Sequence, residues 1–167
     1  MSSKGYLPAL VAGFGAAVLT TVPGLREFGC CLIVPLAVFT ALLLYRKTLN
    51  EDKNISVKTS LLLGFLTGVF AALFTTFFDI LITLFTHSND FVQTLPQTKE
   101  VLESLNLGEA AKQTLELMNG MAKQITSTGF SLLYTIFILI SNLIVDSIFG
   151  LIGGILGRIV VNRRTQA

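Results

Sequence analysis

Four long stretches of the chain are apolar and almost free of charge, and the charged residues lie mainly between them. No charge occurs in residues 5–25, 28–45 or 59–78, and residues 124–157 contain a single charge, Asp146. A helix needs about 20 mostly apolar residues to cross the hydrocarbon core of a bilayer. In lipid each stretch must be helical, because an open strand would leave backbone N–H and C=O groups unpaired.

This pattern predicts an all-α integral membrane bundle of four transmembrane helices, formed as a single domain by residues 1–167. The spans are expected at about residues 5–25, 28–45, 59–86 and 128–158. Pro23 and Gly24 predict a tight turn between the first two spans, and Pro35 predicts a kink inside the second. The bundle should therefore begin with a helical hairpin.

Residues 94–126, between the third and fourth spans, predict an extracytoplasmic amphipathic helical segment. Residues 94–97 fit a capping box with a proline in the first helical turn. Asn106 and Gly108 predict a helix end, and a second helix with apolar residues at spacings of three and four is expected over residues 109–124. The segment could pack on the protein's own outer face, dock a partner or lie on the membrane surface.

Composition narrows the class of protein. Of 167 residues 52% are apolar and 13% are charged, whereas a soluble domain has roughly 45–50% and 25%. The charge deficit excludes a disordered chain and a basic nucleic-acid-binding domain, so no nucleic-acid partner is expected. With 14 Gly lacking a three-residue period and 2 Cys, collagen-like and disulfide-scaffold classes are also excluded. The expected partner is the lipid bilayer.

The distribution of basic residues predicts the orientation. If both termini lie on one side, that side carries eight Lys or Arg residues and the other side carries four. The positive-inside rule then places both termini in the cytoplasm, in a multi-pass protein of the plasma (inner) membrane. A cleaved signal peptide is the competing interpretation of the first stretch, but this stretch exceeds the usual apolar region of about 7–15 residues.

Small residues recur at four-residue intervals in three of the four spans. Helices in a bilayer associate through close packing, which small residues permit. The rows are Ala9, Gly13 and Ala17; Gly64, Gly68 and Ala72; and a C-terminal row made of two pairs, Gly150 with Gly154 and Gly153 with Gly157. They predict either a tight bundle within one chain or an interface with a second protein. The C-terminal row of four glycines is the candidate interface.

Two carboxylates lie inside the expected spans, and ionisable residues in a bilayer are functional candidates. Asp79 shares a helix face with Thr83 and His87, and Asp146 shares one with Asn142. These five residues are the candidate ion or polar sites. The alternatives are a water-solvated carboxylate for Asp79 and an interhelical hydrogen bond or salt bridge for Asp146. Asp79 is expected near the outer boundary and Asp146 near the inner one, so no carboxylate dyad is predicted.

No catalytic or metal-binding motif is recognisable along the chain. With one His and the adjacent pair Cys30 and Cys31, no metal-site spacing is present. Packing is the simplest role for this cysteine pair, and lipidation and redox chemistry are the alternatives. No cofactor is expected.

The chain resembles a group of small bacterial four-span membrane proteins known only as domains of unknown function. The resemblance is carried by Pro23-Gly24, Cys30-Cys31, Pro35, a Gly-rich third span and the ending Gly153-Gly154-Ile155-Leu156-Gly157-Arg158. It implies a bacterial inner-membrane location and no assigned activity, and it transfers no functional residue.

The small-residue rows and the absence of a catalytic set favour a non-enzymatic membrane protein. Such a protein would be an accessory or structural subunit that packs its helices against itself, as a homo-oligomer, or against other membrane subunits. The alternative is a small oligomeric transporter or channel that uses Asp79 or Asp146 for ion coupling. Four helices alone rarely enclose a pathway, so the alternative also requires oligomerisation.

Overall fold

The computed structural model describes residues 6–22, 24–49, 54–105 and 108–163. Within these ranges the chain forms six α-helices and no strand, which confirms the all-α class. The helices are α1 (Leu7–Thr20), α2 (Val34–Leu49), α3 (Val57–Thr86), α4 (Asp90–Ser104), α5 (Glu109–Thr128) and α6 (Leu132–Arg163).

Three helical segments are long and apolar enough to cross a membrane, which indicates a membrane protein. They are Arg26–Thr48 with 23 residues, Val57–Thr86 with 30 and Leu132–Arg163 with 32. Helix α1 has only 14 residues, so at ~1.5 Å per residue it extends about 21 Å, against about 30 Å of hydrocarbon. The first expected span is therefore shorter than the sequence pattern predicted.

The second span begins with irregular helical turns. Gly24 has a φ of +84°, a left-handed conformation that glycine adopts without steric cost; its neighbour Pro23 lies outside the described residues. A 3₁₀ turn, Arg26–Phe28, and a π-helical segment, Gly29–Ile33, then lead into α2. The π-helical segment ends two residues before Pro35, whose ring prevents the regular hydrogen bond to the carbonyl four residues earlier.

The described residues form two compact units. The first comprises residues 1–78 and 139–167, and the second comprises residues 79–138. The boundary falls within α3 and again within α6.

In the first unit, α3 and α6 run antiparallel with their backbones in direct contact. A methyl group added at Gly64 would collide with the carbonyl oxygen of Gly150, and one added at Gly68 would collide with that of Asp146. Likewise, a methyl group added at Gly154 would lie 2.5 Å from the carbonyl oxygen of Ser60. Each four-residue step forward on α3 therefore matches a four-residue step backward on α6. Only glycine permits so close an approach.

The other two glycines of the C-terminal row face α2. A methyl group at Gly153 would lie 2.8 Å from the Cα of Pro35, and one at Gly157 would lie 2.9 Å from a methyl of Leu42. Gly150, Gly153, Gly154 and Gly157 are all buried. The candidate interface is thus occupied by helices of the same chain, and these glycines offer no free surface to a second protein.

One end of the first unit is held by hydrogen bonds between side chains and the backbone. Arg46 donates to the carbonyl of Val161 at 3.0 Å, and Arg158 donates to that of Ile55 at 2.8 Å. Asn162 accepts from the backbone N–H of Ile55 at 3.0 Å. The Arg46 contact also places a positive charge at the negative C-terminal end of α6.

The second unit contains α4 and α5, the expected extramembrane helices. Helix α5 begins at Glu109, as predicted; Asn106, the expected helix end, lies outside the described residues. The predicted capping box at residues 94–97 is wrong, because α4 already begins at Asp90. Its cap is Asn89, whose side-chain oxygen accepts a hydrogen bond from the N–H of Val92 at 3.0 Å.

Replacing Asn89 with alanine is expected to loosen α4. Losing an asparagine cap costs about 1 kcal/mol, which corresponds to roughly fivefold faster opening of the first turn. Hydrogen exchange of the α4 amides in detergent micelles measures this effect. Asn89→Asp should preserve the cap, and Asn119→Ala, at an exposed position within α5, is the matched control. Unchanged exchange in Asn89→Ala would contradict the assignment of the cap.

Candidate functional site

A cavity of about 280 Å³ lies among the helices of the first unit. Its apolar wall is formed by small or branched residues such as Ala16, Val34 and Val145. Its polar wall combines residues from α1, the 3₁₀ turn, the π-helical segment, α3 and α6. These polar residues are Thr20, Arg26, Cys30, Thr75, Ser141, Asn142 and Asp146.

Two interhelical hydrogen bonds fix the polar wall. The hydroxyl oxygens of Thr20 and Thr75 lie 3.3 Å apart and join α1 to α3. The side-chain amide of Asn142 donates to the hydroxyl oxygen of Thr76 at 3.0 Å and joins α6 to α3. Such bonds hold polar side chains within apolar helices at little cost, because both partners are satisfied.

Asp146 is the acidic group of the cavity. It is 9% exposed, and its backbone carbonyl touches Gly68, so that α3 approaches α6 closely at this level. Among the described residues, none donates a hydrogen bond to its carboxylate or forms an ion pair with it. A carboxylate among apolar helices is costly unless a cation, a proton or a polar ligand compensates it.

Cys30 contributes a thiol to the cavity, and the adjacent Cys31 is exposed. The two sulfur atoms are 3.4 Å apart within the π-helical segment, and both cysteines are free thiols. Packing, lipidation and redox chemistry all remain predictions for this pair.

In the second unit, Asp79 forms a buried polar pair with Tyr134. The tyrosine hydroxyl donates to a carboxylate oxygen at 2.9 Å, and Asp79 is 6% exposed. The ring of Tyr134 also packs against Phe91 of α4, with ring centroids 5.4 Å apart. The prediction that water solvates the carboxylate of Asp79 is therefore wrong: this carboxylate is buried, and a tyrosine hydroxyl of the protein donates to it.

The other candidates from this part of the sequence lie around the end of α3. Thr83 is buried and accepts a hydrogen bond from the side-chain amide of Asn89 at 3.5 Å. His87 directly follows α3, has a φ of +52° and is exposed. Close to Thr83, Ser131 is 2% exposed, and its hydroxyl oxygen has no partner among the described residues. Thr83, His87 and Ser131 do not together form a binding site.

Comparison with known proteins identifies the family of this chain. A family model described as protein of unknown function (DUF4199) matches residues 9–158. The chain belongs to this family. No curated protein and no solved structure matches it. The resemblance to a family of unknown function, stated from the sequence, is thus confirmed.

In this DUF4199 protein, the structure groups some of the candidate residues and separates others. Asn142 and Asp146, which share a helix face, both line the cavity of the first unit. Asp79 and Thr83 belong to the second unit, where each has its own partner. The structure also adds residues that sequence reasoning did not select as sites, namely Thr20, Arg26, Thr75, Ser141 and Tyr134.

A partial signal for the missed cavity residues is present in the sequence. Ser141, Asn142 and Asp146 are polar residues at helical spacing within one apolar run, and Thr75 and Thr76 form a polar pair in another. Reading polar residues inside apolar runs as one set would have suggested a shared site. Tyr134 carried no such signal, because an aromatic residue near a span end is ordinary.

Proposed function

We propose that this DUF4199 protein is a small membrane transporter that binds a positively charged group at Asp146. The observation that carries the proposal is a polar cavity within membrane-spanning helices that contains a buried carboxylate. In a bilayer such a residue costs at least about 2.5–3.5 kcal/mol on insertion scales. A bound ammonium group, metal cation or proton would offset this cost. The proposal assigns binding and passage to the cavity, and no catalysis.

The expected arrangement in the membrane has four spans with both termini in the cytoplasm of the plasma (inner) membrane. Helix α1 is the fourth span, and its exposed apolar residues, among them Leu7, Val11 and Phe14, are suited to lipid contact. Local thinning of the bilayer accommodates a short span at modest cost. Oligomerisation would complete a pathway that four helices rarely enclose alone.

Uptake into proteoliposomes tests the proposal. Liposomes containing the wild-type protein should take up radiolabelled methylammonium faster than empty liposomes. If the cation is a proton, their lumen should acidify faster, as measured with an entrapped pH-sensitive dye. Asp146→Asn keeps the shape of the side chain and removes its charge, so uptake should fall at least tenfold. Glu116→Gln, on an exposed position of α5, is the charge-matched control. Equal fluxes in wild-type, Asp146→Asn and empty liposomes would refute the proposal.

A second candidate function is an accessory subunit that packs against another membrane protein. The observation that favours it is the exposed apolar surface of α6: in its most apolar stretch of 18 residues, only 11% is buried. Ile140, Ile144 and Ile148 illustrate this stripe, since each is at least half exposed. Lipid would cover the stripe equally well. Native mass spectrometry from membranes separates the two, because a subunit should be released with a stoichiometric partner.

A further inference from the structure

The polar cavity of the first unit contains two opposite charges. Asp146 is buried on α6, whereas Arg26 is exposed in the 3₁₀ turn at the start of the second span. Both residues line the same cavity of about 280 Å³. The cavity is therefore lined by one acidic and one basic residue.

These two charges do not neutralise each other directly. Within the described ranges, Asp146 forms no ion pair and no hydrogen bond through its carboxylate, with Arg26 or with any other residue. A simple cation can contact only the carboxylate, and a simple anion can contact only the guanidinium. A solute that carries both charges can contact both groups at once.

We propose that the cavity binds a small zwitterion of amino-acid size, an inference that rests on the proposed transport function. Its ammonium group would bind Asp146, and its carboxylate would bind Arg26, whose planar guanidinium suits two parallel hydrogen bonds to a carboxylate. The hydroxyls of Thr20, Thr75 and Ser141 supply further hydrogen-bond partners along the wall.

The size of the cavity limits the solute. Sites for drug-sized ligands occupy roughly 300–1,000 Å³, so a cavity of about 280 Å³ fits a smaller molecule. The apolar wall of Ala16, Ala71, Val34 and Val145 leaves room for a compact aliphatic side chain. A small aliphatic amino acid meets both the charge and the size requirement.

Ligand binding to the purified protein in detergent tests this inference. The probes are L-alanine together with ethylamine and propionate, which retain only its ammonium or only its carboxylate. Alanine should raise the thermal unfolding midpoint and bind at least tenfold more tightly than either of the other two. Arg26→Gln and Asp146→Asn should each weaken alanine binding at least tenfold, while ethylamine binding should be sensitive to Asp146→Asn alone.

Two variants control for folding. Glu27→Gln changes the charge next to Arg26 at a position that does not line the cavity, and it should bind alanine normally. Arg26→Lys retains the charge and should recover part of the affinity lost in Arg26→Gln.

The possible results separate the inference from the function on which it rests. If ethylamine binds as tightly as alanine and Arg26→Gln has no effect, the zwitterion inference fails while cation binding at Asp146 stands. If Asp146→Asn changes the binding of no probe, both fail. If no probe binds the wild-type protein, the zwitterion inference is also overturned, and methylammonium uptake then decides the transport proposal.

Discussion

Replacing Gly68 with alanine is expected to push α3 away from α6 and to reduce sharply the yield of folded protein from membranes. The added methyl group would collide with the carbonyl oxygen of Asp146 and lie 2.7 Å from its carbonyl carbon. Both obstacles are backbone atoms, so no side-chain rotation relieves the clash. Overpacking of this kind costs about 1–3 kcal/mol or more. Thermal unfolding in detergent micelles measures the loss.

The control for this prediction lies in α1. A methyl group added at Gly15 has no neighbour within 4 Å, so Gly15→Ala should be neutral or stabilising by up to about 1 kcal/mol, the helix-propensity difference. Gly64→Ala should resemble Gly68→Ala, because the carbonyl oxygen of Gly150 would be struck in the same way. If both variants matched Gly15→Ala in stability, the close contact between α3 and α6 would be disproved.

The Gly68 contact also bears on the proposed site. Because Asp146 occupies the contact with its backbone and lines the cavity with its side chain, a displaced α6 would move the carboxylate. Any Gly68→Ala protein that does fold should therefore bind the cavity ligand more weakly than Gly15→Ala.

Replacing Tyr134 with phenylalanine is expected to destabilise the second unit by about 1.5–3 kcal/mol, the usual contribution of a hydrogen bond to a charged group. The variant keeps the aromatic ring against Phe91 but removes the hydroxyl that donates to Asp79 at 2.9 Å. The buried carboxylate would then lose a donor, and desolvating it would no longer be offset by this bond. Thermal unfolding again provides the measurement.

A double-mutant cycle isolates the pair from the other contacts of both residues. If the hydroxyl acts through Asp79, Tyr134→Phe should cost much less in the Asp79→Asn background than in the wild type. Tyr45→Phe is the matched control, since Tyr45 is a half-buried tyrosine that packs against the apolar core of the first unit. Additive effects of the two changes would show that the Asp79–Tyr134 hydrogen bond does not contribute.

The local pattern of apolar, polar and capping residues predicted most of the helices but not all of their ends. The apolar run from Thr59 predicted α3 within two residues, because a bilayer span needs a long uncharged helix whatever its neighbours are. The start of α4 was misplaced, because Thr94 and Gln97 match a capping box in spacing while Asn89 forms the actual cap. Several residues can match one capping pattern, and only the backbone path decides which of them is used.

The sequence by itself determined the helical class, the long apolar segments and the rows of small residues, since these depend on run length and helical period alone. It also identified Asp146 as a candidate site, because a single charge within a long apolar run is visible from the sequence alone. Tertiary structure decided which partners those residues meet. The four-glycine row packs inside its own chain, Asp79 meets Tyr134, and Asp146 shares a cavity with Arg26. Each of these pairings joins residues at least 55 positions apart. It therefore depends on the register between two helices, which cannot be predicted from the spacing of residues within one helix.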